Sequence, residues 1–229
     1  MTPTGPRIRA AKQLPPGRHG LPRGYVMRNQ RERILDAVIN VVAECGYAAM
    51  TVEDVIAYAG VSRRTFYEHF LNKEQAFLAA YDLVVHQVLA AVNAEFAKGT
   101  TWPERVRRGL GAFLVLLADE PTLARVCVVD VLAAGPNALA RRAEAMGRFR
   151  DLLAPGHLAW TPHLSVPPLA AETTVGGIYE VIFDRVLRGE IGTLPSLLPE
   201  LLHAFLLPFA GGEVAGAALQ AAREPARGT

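Results

Sequence analysis

Between Ser62 and His69 the chain reads Ser-Arg-Arg-Thr-Phe-Tyr-Glu-His, a dense run of groups that suit nucleic acid. Arginine grips a guanine edge with two donors, and Thr, Tyr and His suit phosphate oxygens. Such groups reach a duplex only if a short helix holds them clear of the protein body, and the flanking residues supply that support. Thr51-Val-Glu-Asp54 is a capping box opening a short helix that ends near Ala59. Gly60 permits the positive φ of a tight corner, and Ser62 can cap a second short helix running to about Phe70. Two short helices about a glycine corner give helix-turn-helix geometry, in which the second helix enters a major groove about 12 Å wide. Val61 and Phe66 are expected to point inward, leaving Ser62, Arg63, Arg64, Thr65, Tyr67 and Glu68 outside.

The run TVEDVIAYAGVSRRTFYEHFLNKEQAF (residues 51–77) resembles the signature of the tetracycline-repressor (TetR) family. Thr51, Ala59, Gly60, Val61, Ser62, Thr65, Phe66, Tyr67, His69, Phe70, Lys73 and Glu74 carry the match. An upstream helix from Gln30 to Gly46 also resembles the family's first helix, so the likeness spans roughly residues 28–80. The resemblance implies that Thr51, Tyr67, His69 and Lys73 hold phosphates while Arg63, Arg64 and Thr65 face base edges. Ile56 departs from the small residue usual before the turn, a change able to spread the two helices.

The rest of the chain is punctuated as helices, with no sustained period-2 alternation. Asn29-Gln-Arg-Glu32 reads as a capping box. Ile34, Val38, Val41, Val42 and Cys45 follow on one face, and Gly46 is placed to end that helix in a left-handed conformation. Asn72-Lys-Glu-Gln75 opens a longer helix, Thr101 with Glu104 another, and Pro121 and Pro136 sit where first-turn prolines belong. A loop is expected over 154–167, then helices from about 168 to 188 and 194 to 207. The fold class is therefore all-α, an N-terminal three-helix helix-turn-helix domain plus a C-terminal helical domain. The expected organisation is a flexible basic arm (1–25), the DNA-binding domain (26–75), a ligand-binding and dimerisation domain (76–210) and a fraying tail (211–229).

Charge is uneven. Through residue 74 there are eleven basic and seven acidic side chains, and beyond it thirteen and fifteen. A basic front on a slightly acidic body suits a polyanion binder. Cys45 and Cys127 stand apart without metal-ligand spacing, so no disulfide framework, metal or cofactor is expected, and a reducing cytoplasm fits. The apolar stretch from Leu197 to Phe209 is interrupted by Pro199, Glu200, His203 and Pro208, so no membrane span is expected. The histidines form no HExxH, and GxSxG, Walker and GxGxxG patterns are missing, so catalysis is not expected.

The family likeness implies a C-terminal body that binds a small effector and pairs with a second copy. Phe113, Leu117, Cys127, Asp130, Met146, Phe149, Trp160, Tyr179 and Phe183 are the candidates for an apolar effector region. Val175, Gly176, Ile178, Ile182 and Val186, with Leu198, Leu201, Leu202 and Phe205, are the candidates for a two-fold interface. The expected function is a ligand-responsive transcriptional regulator, a homodimeric repressor on a palindromic double-stranded operator. The competing reading is a helical adaptor that binds proteins and not DNA.

Overall fold

A computed structural model describes residues 22–153 and 166–223, and every regular element among them is helical. The arm through residue 21, the stretch 154–165 with Trp160, and residues 224–229 lie outside the described residues. The order is α1 (Arg23–Ala49), α2 (Val52–Ala59), α3 (Arg63–His69), α4 (Lys73–Phe96), α5 (Trp102–Asp119) and α6 (Pro121–Val128). A 3₁₀ turn η1 (Asp130–Ala133), α7 (Pro136–Leu153), α8 (Ala170–Leu187), a second 3₁₀ segment η2 (Ile191–Leu197) and α9 (Leu198–Arg223) complete it. The all-α expectation holds.

The described chain forms two compact units. One holds residues up to 84 together with 125–141; the other holds 85–124, 142–153 and 166–223. In the first, α1 packs against α2, α3 and η1. Ile34, Val38 and Val42 of α1 meet a core that includes Met50, Val55, Phe66, Phe70 and Phe77, all essentially buried. In the second, α5 packs against η2 and α9, and Trp102 sits 6.1 Å from Phe205 and 5.9 Å from Phe209, centroid to centroid.

Three expectations about helix ends change. The box at Asn29 is not a helix start: α1 begins after Pro22, and Asn29 is buried inside it. Val26 and Met27 are half-buried there, so burial extends the helix past a side-chain cap that the backbone does not need. Gly46 does break α1, but at φ 80° and ψ 158°, an extended glycine-only conformation rather than a left-handed helical one. That break turns Cys45 out to solvent and lets the Tyr47 amide donate to the Asp130 carboxylate of η1.

The C-terminal end is the third. Residues 212–223 are helical rather than frayed, and Gly211 (φ 79°, ψ 169°) separates them from 198–210. In one straight helix Glu200 and Arg223 would lie about 35 Å apart. Their side chains instead meet at 2.8 Å, so the chain doubles back at Gly211. Lys73–Phe96 and Ile191–Arg223 are both apolar and long enough by composition to cross a bilayer. The second reverses direction midway, and the first spends Phe77, Tyr81, Val84, Val88 and Val92 on protein core. Among the described residues a Cβ at Gly211 would meet nothing within 4 Å, so the cost of substitution there is backbone strain. Gly211→Ala is expected to lower stability by about 1–3 kcal/mol, read as an earlier midpoint in urea.

Candidate nucleic-acid interface

The corner between α2 and α3 is built from backbone bonds that only a left-handed residue completes. Gly60 (φ 60°, ψ 41°) donates to Ala57 O at 3.3 Å, and Val61 donates to Ile56 O at 3.2 Å, the paired bonds of a Schellman motif. Two further carbonyls at this end, those of Ala59 and Gly60, accept from Arg33 Nη2 of α1, the latter at 2.8 Å. A guanidinium at a helix C-terminus satisfies orphan acceptors and complements the helix dipole. Ile56 is half-buried beside this bonding and does not prevent it.

Capping fixes both helix starts. The Thr51 hydroxyl accepts from the Asp54 amide at 3.2 Å, and the Asp54 carboxylate accepts from the Thr51 amide at 3.0 Å and from its hydroxyl at 2.6 Å. Those bonds hold the Asp54 carboxyl below its ordinary range, the side-chain bond most of all. Ser62 Oγ accepts from the Thr65 amide at 3.0 Å and shares a proton with Thr65 Oγ1 at 2.9 Å. Further on, the Gln75 amide donates to Asn72 Oδ1 at 2.8 Å, as the box at 72–75 requires.

One face of α3 stands free. Phe66 is fully buried and Phe70 nearly so, whereas Tyr67 is 48% exposed and the Arg64 side chain 89% exposed. Tyr67 rests edge-on against Phe66 (centroids 5.4 Å, planes 87°), which aims its ring without burying it. Arg63 pairs with Glu53 of α2, and Arg64 with Glu68 at 3.1 Å one turn along. Ser62, Arg63, Arg64 and Tyr67 are thus exposed, as is Thr51, and Thr65 is half-buried.

His69 and Lys73 are more deeply committed. His69 is half-buried, with Nε2 out of solvent and without a hydrogen-bond partner. Burial lowers its pKa, the Arg31 charge adds to that, and Glu68 opposes. Lys73 Nζ donates to the carbonyls of Met50 (2.9 Å), Tyr47 (3.3 Å) and Ala48 (3.4 Å), and lies 5.0 Å from the Tyr47 ring centroid. It closes the end of α1 much as Arg33 closes α2. Sequence reasoning missed Arg33 and also Arg31, whose guanidinium lies 5.5 Å from the Phe70 ring. A cation one helix earlier than a glycine corner is a weak signal, since nothing in the spacing says which carbonyls it will meet.

The effector candidates are divided between the two units. Cys127 and Asp130 belong to the first unit, and Phe113, Leu117, Met146, Phe149, Tyr179 and Phe183 to the second. Asp130 is buried, 3.8 Å from Arg125, with Oδ2 lacking a hydrogen bond; burial raises its pKa, and Arg125 and the Tyr47 amide oppose. Burial pushes the Cys127 thiol up to about 12. In the second unit Phe113 and Phe149 are 5.4 Å apart, Tyr179 and Phe183 stack at 6.5 Å, and Leu117 is core. Of the interface candidates, Val175, Ile178, Ile182, Val186, Leu201, Leu202 and Phe205 are buried within the chain. Leu198 is half-buried and lies 3.4 Å from where a Cβ on Gly111 would stand. Gly176 and Gly177 face outward, with nothing within 4 Å of an added Cβ.

With its pKa lowered in the folded state, His69 stays neutral where the unfolded chain takes up a proton. Stability is thus fully present above the ordinary histidine range and falls as pH drops below it. His69→Asn is expected to narrow the gap between melting temperatures at pH 7.5 and 5.5; an unchanged gap would place the pH dependence elsewhere.

Comparison with known proteins agrees with this geometry. The family model for bacterial regulatory proteins of the tetR family matches residues 34–80, the segment from the middle of α1 into α4. An uncharacterised HTH-type transcriptional regulator of Mycobacterium tuberculosis is 28% identical over 142 residues, 57% of this chain and 65% of that protein. The fatty acid metabolism regulator protein of Bacillus subtilis is 27% identical over 99 residues, 43% of this chain and 51% of its own length. The chain thus spans between half and two thirds of these curated relatives. Among solved structures, the transcriptional regulator FadR of B. subtilis, determined with stearoyl-CoA, superposes with a TM-score of 0.68 at 20% identity, covering 78% of this chain and 97% of that one. A TetR family regulator from Marinobacter aquaeolei gives 0.56 at 25% identity, covering 75% and 94%. Motif, capped glycine corner and family match converge on residues 34–80, the segment that matches the family model for bacterial regulatory proteins of the tetR family.

Proposed function

We propose that the chain is a homodimeric, effector-responsive transcriptional repressor acting in the cytoplasm on a palindromic operator. The observation that carries this reading is the exposed face of α3, with Arg63, Arg64 and Tyr67 outward on a corner locked by Arg33. Arg63 and Arg64 would meet base edges with Thr65, while Thr51, Ser62, Tyr67 and His69 would hold phosphates. Lys73 would act chiefly by fixing the end of α1, since its ammonium already serves three carbonyls.

Two copies would set their α3 helices in successive major grooves, about 34–36 Å apart or a multiple of that. For pairing, the outward face of α8 is the better surface. Gly176 and Gly177 cost helix stability yet would bring an added Cβ within 4 Å of nothing among the described residues, and Val181 and Leu187 are exposed on the same helix. The buried stripe from Val175 to Val186 would support that face from behind. The effector would occupy the second unit, and the stearoyl-CoA bound by the B. subtilis fold relative favours a hydrophobic, lipid-like molecule. It would release DNA only to the extent that it prefers the dimer shape with the wrong spacing.

Selection from a random duplex library followed by fluorescence anisotropy tests the reading. Tyr67→Phe is expected to weaken all sequences alike by about 1.5–3 kcal/mol, as for loss of a bond to a charged group. Arg63→Ala is expected to relax discrimination at one base pair by about 1–3 kcal/mol. Glu53→Gln frees Arg63 from an exposed ion pair worth ~0.2–1 kcal/mol and so tightens binding by up to about fivefold. A folded protein that selects no duplex overturns the reading and leaves the adaptor alternative.

A further inference from the structure

On α7, Arg142, Met146 and Phe149 stand at i, i+4 and i+7 and so share one face. At one end of that face the Arg142 guanidinium lies 4.0 Å from the Tyr179 ring centroid of α8. The ring's negative face steadies the charge but accepts no in-plane N–H bond. Arg142 Nε is out of solvent and has no hydrogen-bond partner, and among the described residues no carboxylate or carbonyl meets this guanidinium. A buried donor left unmade is a standing cost, and a protein keeps one where something else completes it. Its neighbour Arg141, by contrast, is spent on Asp82 at 3.5 Å.

At the other end Phe149 meets Phe113. Met146 lies between, and all three are half-buried, neither sealed in core nor fully wet. Seven residues of helix separate Arg142 from Phe149, roughly 10 Å, a lane for the first part of a long hydrocarbon chain. We propose that this lane seats an amphipathic anion, its carboxylate or phosphate oxygens on Arg142 and its chain along Met146 and Phe149 toward Phe113. The planar guanidinium, held by the ring and with its Nε donor unbonded, has the fork geometry that matches two anionic oxygens at once. The proposal rests on the effector reading above and supplies the polar group which that reading leaves open.

Calorimetric titration of the full chain with palmitate, hexadecanol and palmitoyl-CoA tests it, in wild type, Arg142→Met and Arg142→Lys. Wild type is expected to bind an anionic probe at least tenfold tighter than hexadecanol. Arg142→Met is expected to lose that preference while keeping its hexadecanol affinity, and Arg142→Lys to keep part of it. Loss confined to palmitate assigns the seat to a carboxylate, and loss confined to palmitoyl-CoA assigns it to a phosphate. The melting temperature of Arg142→Met should equal or exceed wild type, since an unpaired buried donor has gone; a marked fall would reveal a structural arginine and overturn the proposal. Equal preference in wild type and Arg142→Met overturns the anion seat while leaving a hydrophobic effector standing. Binding of none of the three overturns both.

Discussion

Helix C-termini leave carbonyls that something must satisfy, and this requirement shapes the whole N-terminal unit. The end of α2 is closed by Gly60 and by Arg33 reaching across from α1. The carbonyls at the end of α1, broken at Gly46, are closed by Lys73 from the first turn of α4, and the Asp130 carboxylate of η1 accepts from the Tyr47 amide beyond the break. Each helix end is thus finished by a side chain from another element. The direction in which α3 projects is consequently a property of the assembled unit and not of the two short helices alone. At eight and seven residues those helices are too short to persist in isolation.

The exposed surface is not a bare patch of positive charge. Arg63 is held by Glu53, Arg64 by Glu68, and the Thr51 hydroxyl by Asp54. A polyanion must displace partners of modest strength, which lowers the gain from any duplex and leaves the gain from a matching one larger by comparison. His69 adds a second layer. It sits among Arg31, Glu68 and Phe70, neutral by burial, and so supplies packing before it supplies charge.

Much of this was legible in the sequence where a single residue type has one physical use. Gly60 had to be a left-handed corner, Thr51 with Asp54 a capping box, and Phe66 a core residue, and so they are. What the sequence hid were contacts whose partners lie far along the chain. Nothing local to Arg33 shows that it meets Gly60, 27 residues later, and nothing near Asp130 shows that it joins the unit containing Gly46. Periodicity misled in a different way. The stripe Val175, Ile178, Ile182 and Val186 marks a buried face, but the pattern does not say whether the burying surface belongs to the same chain. Gly211 was equally silent: a glycine in an apolar run reads as fraying, and only the pairing of Glu200 with Arg223 shows the chain turning back.

The central claim is that the clamp on the glycine corner presents α3 to DNA, and Arg33→Met tests it most directly because that side chain is occupied by carbonyls of its own protein. The quantity to measure is the affinity of this variant for a selected palindrome and for unrelated duplex at one salt concentration, with helicity checked by circular dichroism. The account predicts that palindrome binding falls at least tenfold while weak, salt-sensitive binding to unrelated duplex persists. A folded Arg33→Met protein that retains full palindrome affinity would contradict it.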